Sequence, residues 1–142
     1  GARGFDGGSP DNNYGQYPAG DYTERANEET WITAQIESPK ALENVSEIAS
    51  VEGVDCVFFG PGDYSALTGR PGDVKGKETL EAARIIAEKT IAAGKVFGTL
   101  AFDMDHAKQM KDLGAQLLAH GADIVFYKKA YEELVEAYRD WA

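Results

Sequence analysis

Between Trp31 and the C-terminus the chain alternates four times between a short apolar run and a segment of helical periodicity. Alternation of this kind implies a parallel α/β sheet, and it restricts the fold more than any other feature of the sequence. Trp31 to Glu37, Val54 to Phe59, Val96 to Ala101 and Gln116 to His120 read as the four strands. Val54 to Phe59 is continuously hydrophobic, as expected where helices cover a parallel sheet. The intervening segments carry their own start and stop signals. Ser38-Pro39 supplies an N-cap and a first helical position, followed by a stripe of Leu42, Val45, Ile48 and Ala49. A helix is predicted from Lys77 to Ala93, with Leu80, Ala83, Ala87 and Ile91 inward and Gly94 as its stop. Asp103 or Asp105 caps another, whose stripe is Ala107, Met110 and Leu113 and whose end is Gly114. A last amphipathic helix places Tyr127, Tyr131, Leu134, Val135 and Tyr138 on one side. A strand over Ile124 to Tyr127 is the weaker alternative, because Gly114 already sets an earlier strand start.

Residues 1–30 read as a glycine-rich loop with a short charged helix over Thr23 to Glu29, and residues 31–142 as the four βα units. Six of the sixteen glycines lie in the first twenty residues with Pro10, Asn12, Asn13 and Pro18, a composition that favours irregular backbone. Tyr14, Tyr17 and Tyr22 are too apolar for a pure linker, so this segment is expected to pack on something. The start, Gly-Ala-Arg without an initiator Met, reads as a processed, cloned or truncated end. Four βα units suit half of an eight-stranded barrel or a small open sheet. The sequence shows no GxGxxG, no phosphate-binding P-loop and no internal repeat, which lowers the dinucleotide-binding version.

Composition narrows the partners. A net charge of −10 argues against nucleic acid or an anionic membrane surface. A single cysteine, Cys56, excludes an intramolecular disulfide and fits a reducing compartment. No apolar run approaches transmembrane length, so a soluble cytoplasmic protein is the expectation.

Two carboxylates carry the chemistry. Glu37 ends the first apolar run and Asp63 follows the second, after Gly60-Pro61-Gly62. An unpartnered charge at the end of a buried strand is costly, so something is expected to compensate it. Thr33, Gln35 and Glu37 share one strand face, and Ala34 and Ile36 share the other. The apolar face suits the helices and leaves the polar face toward a barrel interior, where such folds place catalysis at the C-terminal strand ends. Glu37 could instead cap the helix at Ser38, and Asp63 could cap a helical turn over Tyr64 to Leu67. Both carboxylates nevertheless fall on the same rim. Without a nearby His or Cys cluster they suit a hard ion, Mg²⁺ or Mn²⁺.

Gln35-Ile36-Glu37, Val51-Glu52-Gly53-Val54-Asp55 and Phe59-Gly60-Pro61-Gly62-Asp63-Tyr64-Ser65 together resemble the signature of the HpcH/HpaI aldolase/citrate lyase family. Within that family the likeness is to the metal-dependent class II pyruvate aldolases, such as 4-hydroxy-2-oxoheptanedioate aldolase. The resemblance implies a TIM (β/α)8 barrel of which this chain holds strands five to eight and the loop after strand four. It implies Glu37 and Asp63 as ligands of Mg²⁺, Mn²⁺ or Co²⁺, Gln35 in the substrate pocket, and Gly62 presenting its backbone to the carboxylate of a 2-oxo acid. The family's catalytic His and carboxylate-binding Arg lie on the early strands. The chain departs from the family pattern at Gly62, at Tyr64, where Leu is frequent, and at His120, where an apolar residue is usual. These departures imply a different pocket shape. His120 reads as packed or solvent-facing, His106 as a surface residue, and Arg3 and Arg70 as salt-bridged or solvated residues that could meet an anionic substrate. The partners implied are a 2-oxo acid and either a homo-oligomer or the N-terminal half-barrel. Two other readings are a non-catalytic half-barrel that pairs with itself through its open edges and uncovered interior, and a small flavodoxin-like module. The latter lacks a phosphate-cradling loop after its first strand.

Overall fold

The computed structural model describes residues 4–141, which fall into two compact units, one ending at Trp31 and the other beginning at Ile32. In the first unit a 3-10 segment, Pro10–Gly15, precedes helix α1, Ala19–Glu29. The helix is a full turn longer than the Thr23 to Glu29 expected. Pro18 occupies its N-cap position and Gly20 falls in the first turn, where glycine weakens the helix little because the N–H groups there have no intrahelical partner. The tyrosines do pack, but unequally. Tyr22 meets Phe5 edge-on at 5.8 Å and donates its hydroxyl to Asp11, and the Arg25 guanidinium lies 4.6 Å from the Tyr17 ring. Tyr14 is 72% exposed and holds a left-handed φ of 56°, unusual for a bulky side chain.

The second unit is one sheet of four parallel strands in the order β1-β2-β3-β4. The strands are β1 (Thr33–Ile36), β2 (Cys56–Phe59), β3 (Val96–Ala101) and β4 (Leu117–His120). The helices between them are α2 (Pro39–Glu43), α3 (Val45–Ser50), α4 (Pro61–Leu67), α5 (Lys77–Ala92) and α6 (Met104–Asp112), and α7 (Asp123–Tyr138) follows β4. Ile36, Val57, Phe59 and Phe97 bury completely against Val45, Ala49, Ala82, Ala83, Ile86, Ala87 and Met110 of the helices. The opposite face carries Thr33, Gln35, Cys56, Phe58 and Gly98. Gly98 is needed there for space. A Cβ on it would lie 2.7 Å from Phe58 Cδ2 and 3.2 Å from Cys56 Sγ, so its absence lets the Phe58 ring lie across the middle strand.

Four local expectations change. The first strand starts at Thr33, because the Asp55 carboxylate takes the Ile32 N–H at 2.8 Å and the Ile32 carbonyl receives both Asp55 and Cys56 N–H. The first crossover helix divides at Asn44, whose side-chain amide donates to the Lys40 carbonyl at 2.8 Å and competes with the helical ladder. Helix α5 buries Thr79, Ala82, Ala83, Ile86, Ala87 and Thr90; Ala83 and Ala87 are inward as expected and Leu80 packs against the core, but Ile91 is exposed. The Thr79 hydroxyl anchors the start of this helix by donating to the Asp73 carbonyl at 2.8 Å. Finally, α7 buries none of its residues, and its apolar side chains from Ile124 to Tyr138 are 52–67% exposed. The last strand correspondingly leaves Leu118, on the helix-facing row, at 36% exposure.

Candidate functional site

The carboxyl edge of β1 and β2 is where the predicted residues gather. Ile36 lies opposite Phe59 in the parallel register, so Glu37 and Gly60 are the next residues on the same rim. The Gly60 N–H donates to the Ile36 carbonyl at 2.9 Å and ties the two strand ends together. Gln35 sits on the face not covered by helices and donates its side-chain Nε2–H to Glu37 Oε2 at 2.6 Å. Glu37 is not a helix cap. That role belongs to Ser38, whose Oγ accepts the Ala41 N–H at 3.2 Å, leaving the Glu37 carboxylate to Gln35.

Asp63 is not a cap either. Helix α4 has Gly60 as its N-cap and Pro61 in its first turn, with no side-chain hydrogen bond closing it, and places Gly62 and Asp63 after them. Among the described residues the Asp63 carboxylate has no hydrogen bond or salt bridge, and both Gly62 and Asp63 are exposed. A carboxylate in a first helical turn is favoured by the helix dipole. Tyr64, in contrast, turns away from the rim. It is buried edge-on to Phe59 at 5.5 Å, so it belongs to the core and does not reshape a pocket.

The remaining candidates separate. Arg70 pairs with Asp73 at 3.8 Å and with Glu78, and thus tethers the loop ahead of α5. Arg3 lies outside the described residues. His120 lies on the helix-facing row, opposite Ala101, exposed and stacked on Phe126 at 6.3 Å. His106 is the clear correction: it is not a surface residue but 4% exposed. It stacks on Phe102 at 5.3 Å and accepts the Phe102 N–H on Nδ1 at 3.4 Å. Burial lowers its pKa below 6.5, as a ring in this setting favours the neutral form.

Sequence reasoning missed the roles of two groups, one at this edge and one after β3. Gly60 was legible only as a flexible residue before a proline. Its missing side chain in fact makes room for the Gln35–Glu37 pair, because a Cβ would stand 2.9 Å from Gln35 Nε2 and 3.3 Å from Glu37 Oε2. The other is Asp103, expected as a cap and found as one through the His106 N–H at 2.8 Å, but also accepting Lys75 Nζ at 2.7 Å. A pairing across 28 residues leaves no local signal. The Lys75 ammonium and then the His106 N–H hold the Asp103 carboxyl at about 2 against an ordinary 3.8. With its folded value depressed, the group contributes stability that is complete above about pH 4 and is lost as pH falls toward 2. Lys75→Ala is expected to return the Asp103 titration toward 3.8, read by carboxyl ¹³C chemical shifts between pH 1.5 and 6.

Chemically, Glu37 and Asp63 offer oxygen donors only, which suits a hard divalent cation better than zinc. The missing side chain of Gly60 leaves the space that one of these carboxylates and Gln35 occupy. No group of three or more His, Cys, Asp or Glu side chains that could hold a metal occurs among the described residues. An ion held by the two carboxylates would thus keep several positions for water or a chelating ligand.

A family model described as HpcH/HpaI aldolase/citrate lyase matches residues 7–130, which include all four strands. The chain belongs to this family. The hydroxypyruvate/pyruvate aldolase of Delftia acidovorans is 42% identical over 110 residues, 78% of this chain and 41% of that protein. The 5-keto-4-deoxy-D-glucarate aldolase of Shigella boydii is 34% identical over 119 residues, 84% of this chain and 46% of that one. A crystal structure of an HpcH/HpaI aldolase/citrate lyase family protein from Burkholderia cenocepacia aligns with a TM-score of 0.84 at 29% identity, over 98% of this chain and 53% of that chain. The chain therefore spans about half the length of the HpcH/HpaI relatives it matches. Its four parallel βα units, with helices on one side of the sheet, are half of a (β/α)8 barrel.

Proposed function

We propose that this chain supplies the metal-binding half of a class II aldolase, a lyase that cleaves or forms a carbon–carbon bond of a 4-hydroxy-2-oxo acid. The observation that carries the reading is the Gln35–Glu37 hydrogen bond, seated on Gly60 at the rim where the first turn of α4 holds Gly62 and Asp63. The aldolase names of relatives in the same family support it. Glu37 and Asp63 hold the divalent cation, and Gln35 fixes the orientation of Glu37 while facing the pocket. The Gly62 N–H, in a first turn that no side chain caps, donates to the substrate carboxylate with the help of the helix dipole. When bound, Mg²⁺, Mn²⁺ or Co²⁺ supplies Lewis-acid stabilisation of the pyruvate enolate charge. The aldol hydroxyl proton needs a base, and by the family resemblance this role falls to a His outside these four βα units.

The reading includes a partner. The exposed apolar side of α7 and the open strand face around Phe58 suit either a homo-oligomer or the N-terminal half-barrel. The reading places the chain in the cytoplasm, which the buried, unpaired Cys56 supports; no helix among the described residues is long and apolar enough to cross a membrane. The same open surfaces favour, as a second reading, a non-catalytic half-barrel that self-associates.

Thermal unfolding of the chain with Mn²⁺ and oxalate, a chelating analogue of the pyruvate enolate, tests the aldolase reading. A ligand at 100 times its Kd stabilises a fold by about 2.7 kcal/mol, enough to raise Tm by several degrees. Oxalate without metal is expected to leave Tm in place. No shift with Mg²⁺, Mn²⁺ or Co²⁺, at a solution mass showing a self-associated chain, would favour the second reading.

A further inference from the structure

We propose that Gly60 is a positioning residue, whose missing side chain sets the orientation of the Glu37 carboxylate through Gln35; the proposal rests on the aldolase reading for its consequence but not for its geometry. The backbone itself does not demand glycine. Gly60 has φ −100° and ψ 83°, a conformation open to ordinary L-residues, so the requirement is one of space. The three atoms nearest to a Cβ placed there are Gln35 Nε2 at 2.9 Å, Glu37 Cβ at 3.1 Å and Glu37 Oε2 at 3.3 Å. All three belong to the hydrogen-bonded pair. Gly62, two residues on, has nothing within 4 Å of the corresponding point.

The residue cannot retreat from the pair. Its N–H is held by the Ile36 carbonyl at 2.9 Å, and its carbonyl receives the Tyr64 N–H at 3.1 Å as the first bond of α4. An added methyl group must therefore displace the movable partner, the end of the Gln35 side chain. The 2.6 Å bond to Glu37 is then broken and the carboxylate loses the contact that aims it. A metal ligand held by an outer hydrogen bond commonly loses about 10- to 100-fold in metal affinity when that bond is removed.

The test compares Gly60→Ala, Gln35→Ala, the double variant and Gly62→Ala on the full chain. Without metal, the Gln35 side-chain amide protons are expected to resonate away from a free amide in the unsubstituted protein and in Gly62→Ala. In Gly60→Ala they are expected to collapse to free-amide values. In Mn²⁺ titrations Gly60→Ala and Gln35→Ala are each expected to weaken binding by about 10- to 100-fold. The double variant is expected to lose no more than either alone, since both act through one contact. If Gly60→Ala keeps the bound Gln35 resonances, or if the two losses add, the proposal is wrong. If Gly60→Ala fails to fold, refolding in the Gln35→Ala background supports the proposal, and continued failure overturns it. An unsubstituted protein that binds no Mn²⁺ overturns the aldolase reading instead, while the metal-free resonances still decide the role of Gly60.

Discussion

Replacing Glu37 by Ala is expected to weaken Mn²⁺ binding by more than about 100-fold, the upper end of what loss of an outer-shell contact alone costs. Glu37 follows the last residue of β1, and among the described residues its carboxylate has Gln35 as its one hydrogen-bond partner, so little of the fold depends on it. The unfolding free energy without metal should change by no more than about 0.5 kcal/mol, the range of substitutions that break no packing. Asp63→Ala should behave in the same way, because that carboxylate is exposed and has no hydrogen-bond or salt-bridge partner among the described residues. Isothermal titration with Mn²⁺, alongside urea unfolding of the same samples, separates a lost ligand from a damaged fold. Undiminished Mn²⁺ affinity in both variants would remove the metal centre from this rim.

The second large effect is expected in the core. Phe97 lies opposite Val57 on the helix-facing row of the third strand and is completely buried among α5, α6 and the sheet. Phe97→Ala removes most of a ring from a close-packed site and should cost about 3–5 kcal/mol. Against a total of about 5–15 kcal/mol for a typical domain, that is a large share. The urea midpoint should fall with the slope unchanged. Leu118→Ala, on the same row of the neighbouring strand, is expected to cost less than about 1 kcal/mol, because Leu118 is already 36% exposed. Equal losses at the two positions would mean that Leu118 is covered in solution, and α7 of another copy would then be the first candidate.

Much of this architecture was readable one segment at a time. The strand cores, the Ser38-Pro39 start, the Asp103 cap and the Gly94 and Gly114 stops all appear where their local chemistry puts them. The errors share a cause in contacts made at a distance. Thr79 reaches back to Asp73 and joins the buried side of α5, so the stripe counted from Leu80 holds at Leu80, Ala83 and Ala87 and fails at Ile91. His106 looked like a polar residue in a first helical turn, yet the end of β3 folds over it and Phe102 supplies both a ring and an N–H. Tyr64, beside Gly62 and Asp63 in sequence, reads as a residue that alters pocket shape, although its side chain belongs with Phe59.

The sequence alone determined that four strands alternate with helices in a parallel sheet, and that Glu37 and Asp63 follow the first and second of those strands. Periodicity, capping and turn chemistry are local, so each segment states its own structure. The tertiary structure alone decided how those carboxylates are presented. Strand register brings Gly60 beside Glu37, the missing Cβ makes room for Gln35, and that hydrogen bond aims one carboxylate while leaving Asp63 open. No window along the chain contains that arrangement, because it depends on side-chain space between strand ends that only pairing brings together.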